Sequence, residues 1–230
     1  MKILWHFNSY RHFEEYYLSS QFFNKSEFFK NNAHVLVTCN NENIDIESLR
    51  KTCAYDCKFD VVRTTNPRNG VHTGQLVALA ETYHRFNDYD FIVHTTPDVY
   101  LVNDGPLIAL LEEELHSDNH MIVDHHPYHP HCEKLFSTDF FVFKPKKVIN
   151  FFGESFDPTP SCHCIEAHLF KSIHEKNIPH KVICRGRTSI TWQVDELGLI
   201  HNHDKNIIKN ILYNNIFPDE STAFSHNYFK

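Results

Sequence analysis

The chain has 230 residues, with 22 Lys and Arg against 29 Asp and Glu, and a net charge of -7 at pH 7. Its length fits one large domain or two small ones, and 41% hydrophobic with 22% charged residues is typical of a folded globular protein. The negative charge gives no general attraction to nucleic acid or anionic lipid, and no apolar run approaches the roughly 20 residues that span a bilayer. A duplex-DNA binder and a membrane span are therefore disfavoured.

Two features predict a cytoplasmic protein. The seven cysteines are odd in number, and several lie inside apolar runs where free thiols are common, so no disulfide framework is implied. The N-terminal stretch 1–7 has a single Lys and an apolar segment shorter than that of a signal peptide, and polar Asn8 follows at once.

Strand and helix patterns alternate through the first 145 residues. In chain order they predict strands at 3–7, 33–39, 59–64 and 91–94, with helices at 10–31, 44–54 and 73–86 between them. This alternation is typical of one Rossmann-like α/β domain, with a mainly parallel central sheet and helices on both faces.

The second part of the chain carries weaker patterns of the same kind. They predict helices at 106–115, 146–152 and 164–175, strands at 121–123, 138–144, 181–184 and 190–194, and a loop rich in His and Pro at 124–131. We expect residues 1–217 to form the domain and residues 218–230 to form a loosely held polar tail.

The residues directly after each predicted strand are the informative ones, because ligands of open α/β sheets bind beyond the carboxyl ends of the strands. The fourth strand is followed by Thr96-Pro97-Asp98 and a second short apolar run at 99–101. A carboxylate there can bind a hard divalent cation, which in turn neutralises a diphosphate. The alternative is that Asp98 only caps a turn after Pro97.

This order of strand, acid and apolar run, with a preceding Asn-Pro-Arg-Asn-Gly loop and a helix, resembles nucleotide-sugar-dependent glycosyltransferases of the GT-A fold. In that family an Asp-x-Asp motif follows the fourth strand, and the similarity covers about residues 2–204. More closely, the chain resembles the small glycosyltransferases that large algal (chlorella) viruses encode. Thr96 stands where the first Asp of the motif would be, so Asp98 is the only metal ligand that the motif implies. Thr96 is expected to contact the nucleotide-sugar. The literal Asp88-Tyr89-Asp90 precedes the strand and is predicted to be a helix-to-strand turn.

The resemblance implies Mn²⁺ or Mg²⁺ as cofactor, a UDP-linked sugar as donor and a glycan hydroxyl as acceptor. It also implies a histidine ligand from the C-terminal part of the domain, where His201 and His203 follow a short apolar run. Side chains at i and i+2 of an extended segment point to opposite sides, so we expect one of the two to ligate, His203 first and His201 second. An imidazole ligand favours Mn²⁺ over Mg²⁺.

Six residues before Asp98 are candidates for contact with the nucleotide. The loop and helix start at 66–75 resemble the family segment that contacts uracil, ribose or diphosphate, with Arg68 as the natural phosphate or ribose partner. An ordinary polar loop with a helix N-cap at Thr73 gives the same pattern. The candidates are Asn66, Arg68, Gly70 and Gln75, with His6 and Asn8 flanking the base. Residues 1–104 then form a nucleotide-binding half and residues 105–217 an acceptor-binding half.

A second acid, Asp139, stands at the start of the predicted strand 138–144. An inverting transferase needs a carboxylate that deprotonates the acceptor hydroxyl, and this position suits that role or acceptor binding. Asp195 and Glu196 are rival candidates for the base.

Two other functions stay open. Four His, an Asp and a Cys within residues 124–132 could bind Zn²⁺, with Cys162-His163-Cys164 as further ligands, which would favour a zinc-dependent hydrolase. However, no standard zinc-ligand spacing is present, and two prolines stiffen the loop. The third possibility is a nucleotide-binding module without transfer activity.

Overall fold

The computed structural model describes residues 1–9, 13–65, 74–125, 136–148, 151, 165–183 and 194–215. The strands are β1 (Ile3–Ser9), β2 (Ala33–Cys39), β3 (Lys58–Arg63), β4 (Phe91–Thr95), β5 (Val99–Leu101), β6 (Met121–His125), β7 (Phe136–Phe143), β8 (His180–Ile183) and β9 (Leu199–His201). The α-helices are α1 (Phe13–Phe23), α2 (Glu27–Asn32), α3 (Ile46–Thr52), α4 (Gly74–Thr82), α5 (Gly105–Leu115), α6 (Ile165–Glu175) and α7 (Lys205–Asn214).

Seven strands form the central sheet in the order β3-β2-β1-β4-β7-β6-β8. The four strands β3, β2, β1 and β4 run parallel to one another, and β8 runs parallel to β6. The predicted α/β class with a mainly parallel sheet is therefore confirmed. Strand β7 is antiparallel to both of its neighbours, which the sequence pattern did not indicate, so its first residues lie at the carboxyl edge of β4.

Helices cover both faces of the sheet because β1 and β4 are apolar on both faces. Trp5 packs on the face covered by α1, α2, α3 and α5, and its ring meets Phe23 and Phe29 edge-on at 5.2 Å. Leu4 points to the other face, where it joins the cluster formed by α4 and α6. A third apolar cluster joins α1 and α7 to the small sheet of β5 and β9.

The long helix predicted at 10–31 is two helices in the described residues. Ser26 caps α2, since its hydroxyl accepts a hydrogen bond from Phe29 N at 3.1 Å. Just before it, the Asn24 side chain donates to Ala54 O at 2.7 Å and accepts from Asp56 N at 2.9 Å. The side chain of Asn24 thus forms tertiary hydrogen bonds at the break between the two helices.

Other boundaries differ by a few residues. Residues 145–148 form a turn where a short helix was predicted, and 149–150 and 152 lie outside the described residues. The predicted strand at 190–194 also lies outside them, apart from Val194, and so does the tail at 218–230. Among the described residues, no helix combines the length and the apolar character needed to cross a membrane.

The turn before β9 places this strand against β5. The backbone amides of Val102 and Asn103 donate to Gly198 O at 2.9 and 3.0 Å, and Gly198 has φ +75°. Asp195 holds the same turn, because its Oδ1 accepts from Leu197 N and Leu199 N, each at 2.9 Å. A side chain at position 198 would place its Cβ closer than 3.0 Å to the carbonyl oxygen of Asn103.

We therefore predict that Gly198→Ala lowers the free energy of unfolding by at least about 2 kcal/mol, from left-handed backbone strain and the clash with Asn103 together. Chemical denaturation measures the change. Gly105→Ala is the matched control, because its added Cβ meets only the Asn103 Oδ1 atom, at 3.5 Å, and that distance is an ordinary contact. Equal losses in the two variants would contradict the close packing of this turn.

Candidate metal and nucleotide site

The loop after β4 carries Asp98 to the carboxyl edge of the sheet. Thr96 N donates to Asp139 O at 3.1 Å, and Val99 N donates to Thr96 O at 3.1 Å, so the loop is a tight turn anchored to β7. Asn202 N donates to Asp98 O at 3.1 Å, which joins the end of β9 to the same turn. Asp98 is buried in this arrangement.

Three potential ligands converge there. His203 Nδ1 lies 2.7 Å from Asp98 Oδ2, and His201 Nε2 lies 3.4 Å from the same oxygen. One ligand atom from each of the three residues lies within 4.8 Å of the others. Sequence reasoning from the motif and the C-terminal segment named all three residues.

The expectation that His201 and His203 point to opposite sides is wrong. Strand β9 ends at His201, so the alternation of an extended strand does not continue to position 203. Asn202 turns the chain, since its Oδ1 accepts from Asp204 N at 2.6 Å. As a result the two rings lie 4.9 Å apart on the same side.

The charges of this cluster favour an ionised carboxylate. Burial by itself raises the pKa of Asp98, but hydrogen bonds from His201 and His203 outweigh it and hold that pKa well below its usual range. The hydrogen bond to Asp98 raises the pKa of His203. Asp98 is therefore an anion at neutral pH.

The residues present fit a divalent cation. Asp98 Oδ1 is buried and has no hydrogen-bond partner within the described part of the chain, so this oxygen of the carboxylate is available to a cation. A carboxylate with two imidazoles is a donor set suited to Mn²⁺ and to other transition metals more than to Mg²⁺.

Asp139 lies beside the metal candidates. Its Oδ2 is 3.7 Å from His201 Nδ1, and its side chain is 26% exposed. The hydroxyl of Ser137 accepts a hydrogen bond from Asp139 N at 3.2 Å, near the start of β7. Asp195 and Glu196 are the other candidates for the base. The Asp195 carboxylate accepts hydrogen bonds in the turn before β9, and Glu196 is exposed on that turn.

Of the residues predicted to contact the nucleotide, His6 lies inside the protein. It is fully buried, its Nδ1 lies 2.7 Å from His94 Nδ1, and its Nε2 lies 3.1 Å from Thr38 Oγ1. His94 Nε2 is 3.3 Å from Gln75 Oε1. Sequence reasoning assigned no role to His94 or Thr38. The pairing of His6 with His94 follows from the register of β1 and β4, which only the structure gives.

Both buried rings are neutral. Burial, with a smaller contribution from His94, lowers the pKa of His6 well below its usual value. Burial also lowers the pKa of His94 to about 3, against an opposing effect of Asp139. A cationic imidazole in this layer is therefore disfavoured at neutral pH.

The start of α4 packs against the strand ends. A Cβ at Gly74 would collide with the side-chain nitrogen of Asn40 and would lie 3.6 Å from Asn8 Nδ2. Asn40 Oδ1 and Thr64 Oγ1 are buried and have no hydrogen-bond partner within the described ranges. The predicted contacts Asn66, Arg68 and Gly70 lie outside the described residues.

The zinc hypothesis falls largely on segments that the structure does not describe. Residues 126–135 and 152–164, which include most of the proposed ligands, lie outside the described ranges. Asp124 is buried at the end of β6.

Comparison with protein-family models and with curated protein sequences finds no match to this chain. Its architecture matches the GT-A-like fold of glycosyltransferases. A mannosyltransferase from Pyrobaculum calidifontis, solved with GDP-Man and Mn²⁺, is similar with a TM-score of 0.59 and 11% identity, over 80% of this chain and 55% of that one. The S. aureus protein TarS, residues 1–349, is similar with a TM-score of 0.54 and 14% identity, over 80% of this chain and 58% of that one.

A cytidylyltransferase from Leptospira borgpetersenii is also similar, with a TM-score of 0.51 and 15% identity, over 92% of this chain and 86% of that one. At these identities the similarity concerns the fold alone. The chain spans little more than half the length of the mannosyltransferase and of TarS.

We predict that Asp98→Asn weakens Mn²⁺ binding by at least about 100-fold, and that each histidine variant weakens it by about tenfold or more, because each removes one donor. His203→Ala should have a larger effect than His201→Ala, since His203 lies closer to the Asp98 carboxylate. Isothermal titration calorimetry with MnCl₂ measures the affinities. Asp88→Asn, at an exposed position of the literal Asp-Tyr-Asp, is the control. If a histidine variant binds Mn²⁺ with unchanged affinity, that histidine is not a metal ligand.

Proposed function

We propose that the protein is a metal-dependent glycosyltransferase that moves a sugar from a nucleoside diphosphate, UDP in the first instance, to a glycan hydroxyl. The observation that carries this proposal is the convergence of Asp98, His201 and His203 at the carboxyl edge of a GT-A-like sheet. That edge is where sheets of this kind bind nucleotides.

The cluster suits a diphosphate leaving group. Asp98 and the two histidines would hold the cation, which would supply positive charge beside the diphosphate, where negative charge grows as the sugar leaves. Asp98 contributes a buried anion on a turn that is hydrogen-bonded to both β7 and the end of β9, so its position is rigid.

We propose Asp139 as the base of a transfer with inversion. In that step the acceptor oxygen forms a bond to the anomeric carbon, and the bond from this carbon to the diphosphate oxygen breaks. The electron pair of the broken bond stays on the diphosphate, and the hydroxyl proton moves to the Asp139 carboxylate. Its partial exposure and its place beside His201 support this role.

The nucleotide contacts are proposed from the strand ends. Asn8 and Gln75 lie at the edge near Gly74, and Thr96 lies on the turn that carries Asp98. Asn66, Arg68 and Gly70 complete the proposed set on sequence grounds. Residues 1–104 would then hold the nucleotide, and residues 105–217 the acceptor.

A nucleotidyltransferase is the second candidate, because the cytidylyltransferase matches this chain over most of both lengths. Such an enzyme would join a nucleoside triphosphate to a sugar phosphate and release pyrophosphate. The two imidazoles beside Asp98 favour the glycosyltransferase, since Mg²⁺ bound to triphosphate prefers oxygen ligands.

A donor panel tests the proposal. Protein purified without an affinity tag is incubated with Mn²⁺ and UDP-, GDP- and CDP-linked sugars, and release of the nucleoside diphosphate is followed. We expect slow release from one donor, lost in Asp98→Asn and retained in Asp88→Asn. Pyrophosphate release from a triphosphate with a sugar phosphate would favour the second candidate. Donor binding without release would indicate a non-catalytic module, and stoichiometric zinc would revive the hydrolase hypothesis.

We predict that Asp139→Asn lowers kcat by about 10² to 10⁴-fold, as expected for loss of a general base, with donor affinity nearly unchanged. Steady-state kinetics with the active donor and calorimetry with UDP and Mn²⁺ separate the two quantities. Asp195→Asn is the comparison variant, because an Asn Oδ1 still accepts the two backbone hydrogen bonds of the turn, and we therefore expect this variant to fold and to keep its kcat. A raised acceptor KM with kcat preserved would make Asp139 an acceptor-binding residue.

A further inference from the structure

A buried chain of polar contacts crosses the sheet beneath α4. Thr38 on β2 contacts His6 on β1 at 3.1 Å, and His6 contacts His94 on β4 at 2.7 Å. His94 in turn contacts Gln75 on α4 at 3.3 Å. Thr38, His6 and His94 are completely buried.

Thr38 has two more partners at the end of β1. Its Oγ1 lies 3.0 Å from Phe7 O and 2.9 Å from Asn8 Oδ1. Among the described residues, the network therefore has five contacts, which end at the Asn8 amide, the Phe7 carbonyl and the Gln75 amide. A buried contact without a proton brings two lone pairs together, which is destabilising, so each contact is expected to hold one proton.

The protons in this network can be counted. The Thr38 hydroxyl supplies one, and each neutral imidazole supplies one, which makes three protons for five contacts. The Phe7 carbonyl supplies none. The other two protons must come from the amides of Asn8 and Gln75, and a half turn of an amide puts its nitrogen where its oxygen was.

We propose that both amides turn their nitrogens inward and their oxygens outward, so that Asn8 and Gln75 present two hydrogen-bond acceptors at the nucleotide edge. Every donor is then determined. Gln75 Nε2 donates to His94 Nε2, and His94 Nδ1 donates to His6 Nδ1. His6 Nε2 and Asn8 Nδ2 donate to Thr38 Oγ1, and the Thr38 hydroxyl donates to Phe7 O.

The ligand class follows from these acceptors and rests on the proposed function. Two outward amide oxygens accept hydrogen bonds from N–H groups of a base or O–H groups of a ribose, and they disfavour phosphate oxygens. Asn8 and Gln75 are therefore specificity-determining residues. Thr38, His6 and His94 are positioning residues, because they are buried and act only through the two amides.

The tautomers of the two rings test the direction of the chain. Long-range ¹H–¹⁵N correlation spectra of the ligand-free protein report which ring nitrogen carries the proton. We expect His94 to be protonated on Nδ1 and His6 on Nε2. The reverse pattern, the same tautomer in both rings, or an imidazolium signature would overturn the proposal.

Thr38→Val tests the link to the nucleotide, with Thr38→Ser as the matched control that keeps the hydroxyl. Thr38→Val should disturb the ¹⁵N shifts of His94, two contacts away, and weaken the binding of UDP with Mn²⁺ by about tenfold. Thr38→Ser should keep both within error of the wild type. Thermal unfolding verifies that both variants fold, and unchanged His94 shifts in a folded Thr38→Val protein would overturn the coupling.

Failure of this inference is distinguishable from failure of the proposed function. The expected tautomers in a protein that binds none of UDP, GDP and CDP would leave the hydrogen-bond direction standing and overturn its assignment to a nucleotide. A protein that transfers sugar but shows the reverse tautomers would overturn the hydrogen-bond direction alone.

Discussion

The antiparallel pairing of β5 with β9 is the interaction on which the candidate site depends. It returns the C-terminal segment to the turn after β4, where Asn202 N bonds to Asp98 O and the rings of His201 and His203 meet the Asp98 carboxylate. Gly198 permits the close approach that this pairing needs, since no side chain fits beside the Asn103 carbonyl. The buried anion is stable because two imidazoles compensate for its lost hydration.

The two polar regions of the sheet, one around Asp98 and one around His6 and His94, differ in charge. Asp98 carries a buried charge, and its Oδ1 has no hydrogen-bond partner among the described residues, which is typical of a carboxylate that can ligate a cation. Around His6 and His94 the groups are neutral, buried and in contact with one another, which is typical of a support that fixes the orientation of groups above it. The carboxyl edge of the sheet thus combines a charged region at Asp98 with a neutral polar region at His6 and His94.

The sequence predicted the fold class well, because the apolar strands and the alternation of elements depend on local pattern. It also named Asp98 and, as alternative ligands, His203 and His201, and the structure brings all three side chains together. It could not predict that both rings share one side, since that depends on where β9 ends and on the turn at Asn202. It could not reveal the contact of His6 with His94 either, because a pair formed across neighbouring strands requires the register of the sheet. The antiparallel direction of β7 could not be predicted either, because it shows only in the pairing of β7 with β4 and β6.

The pairing of β5 with β9 also has a consequence for the order of folding. Strands β1, β2, β3 and β4 all lie before Thr96, so their contacts can form while the chain is still being synthesised, whereas β9 begins only at Leu199. A nascent chain that has exposed only its first half therefore has Asp98 but neither His201 nor His203. The cluster of the three side chains can form only after the C-terminal part of the domain has been synthesised.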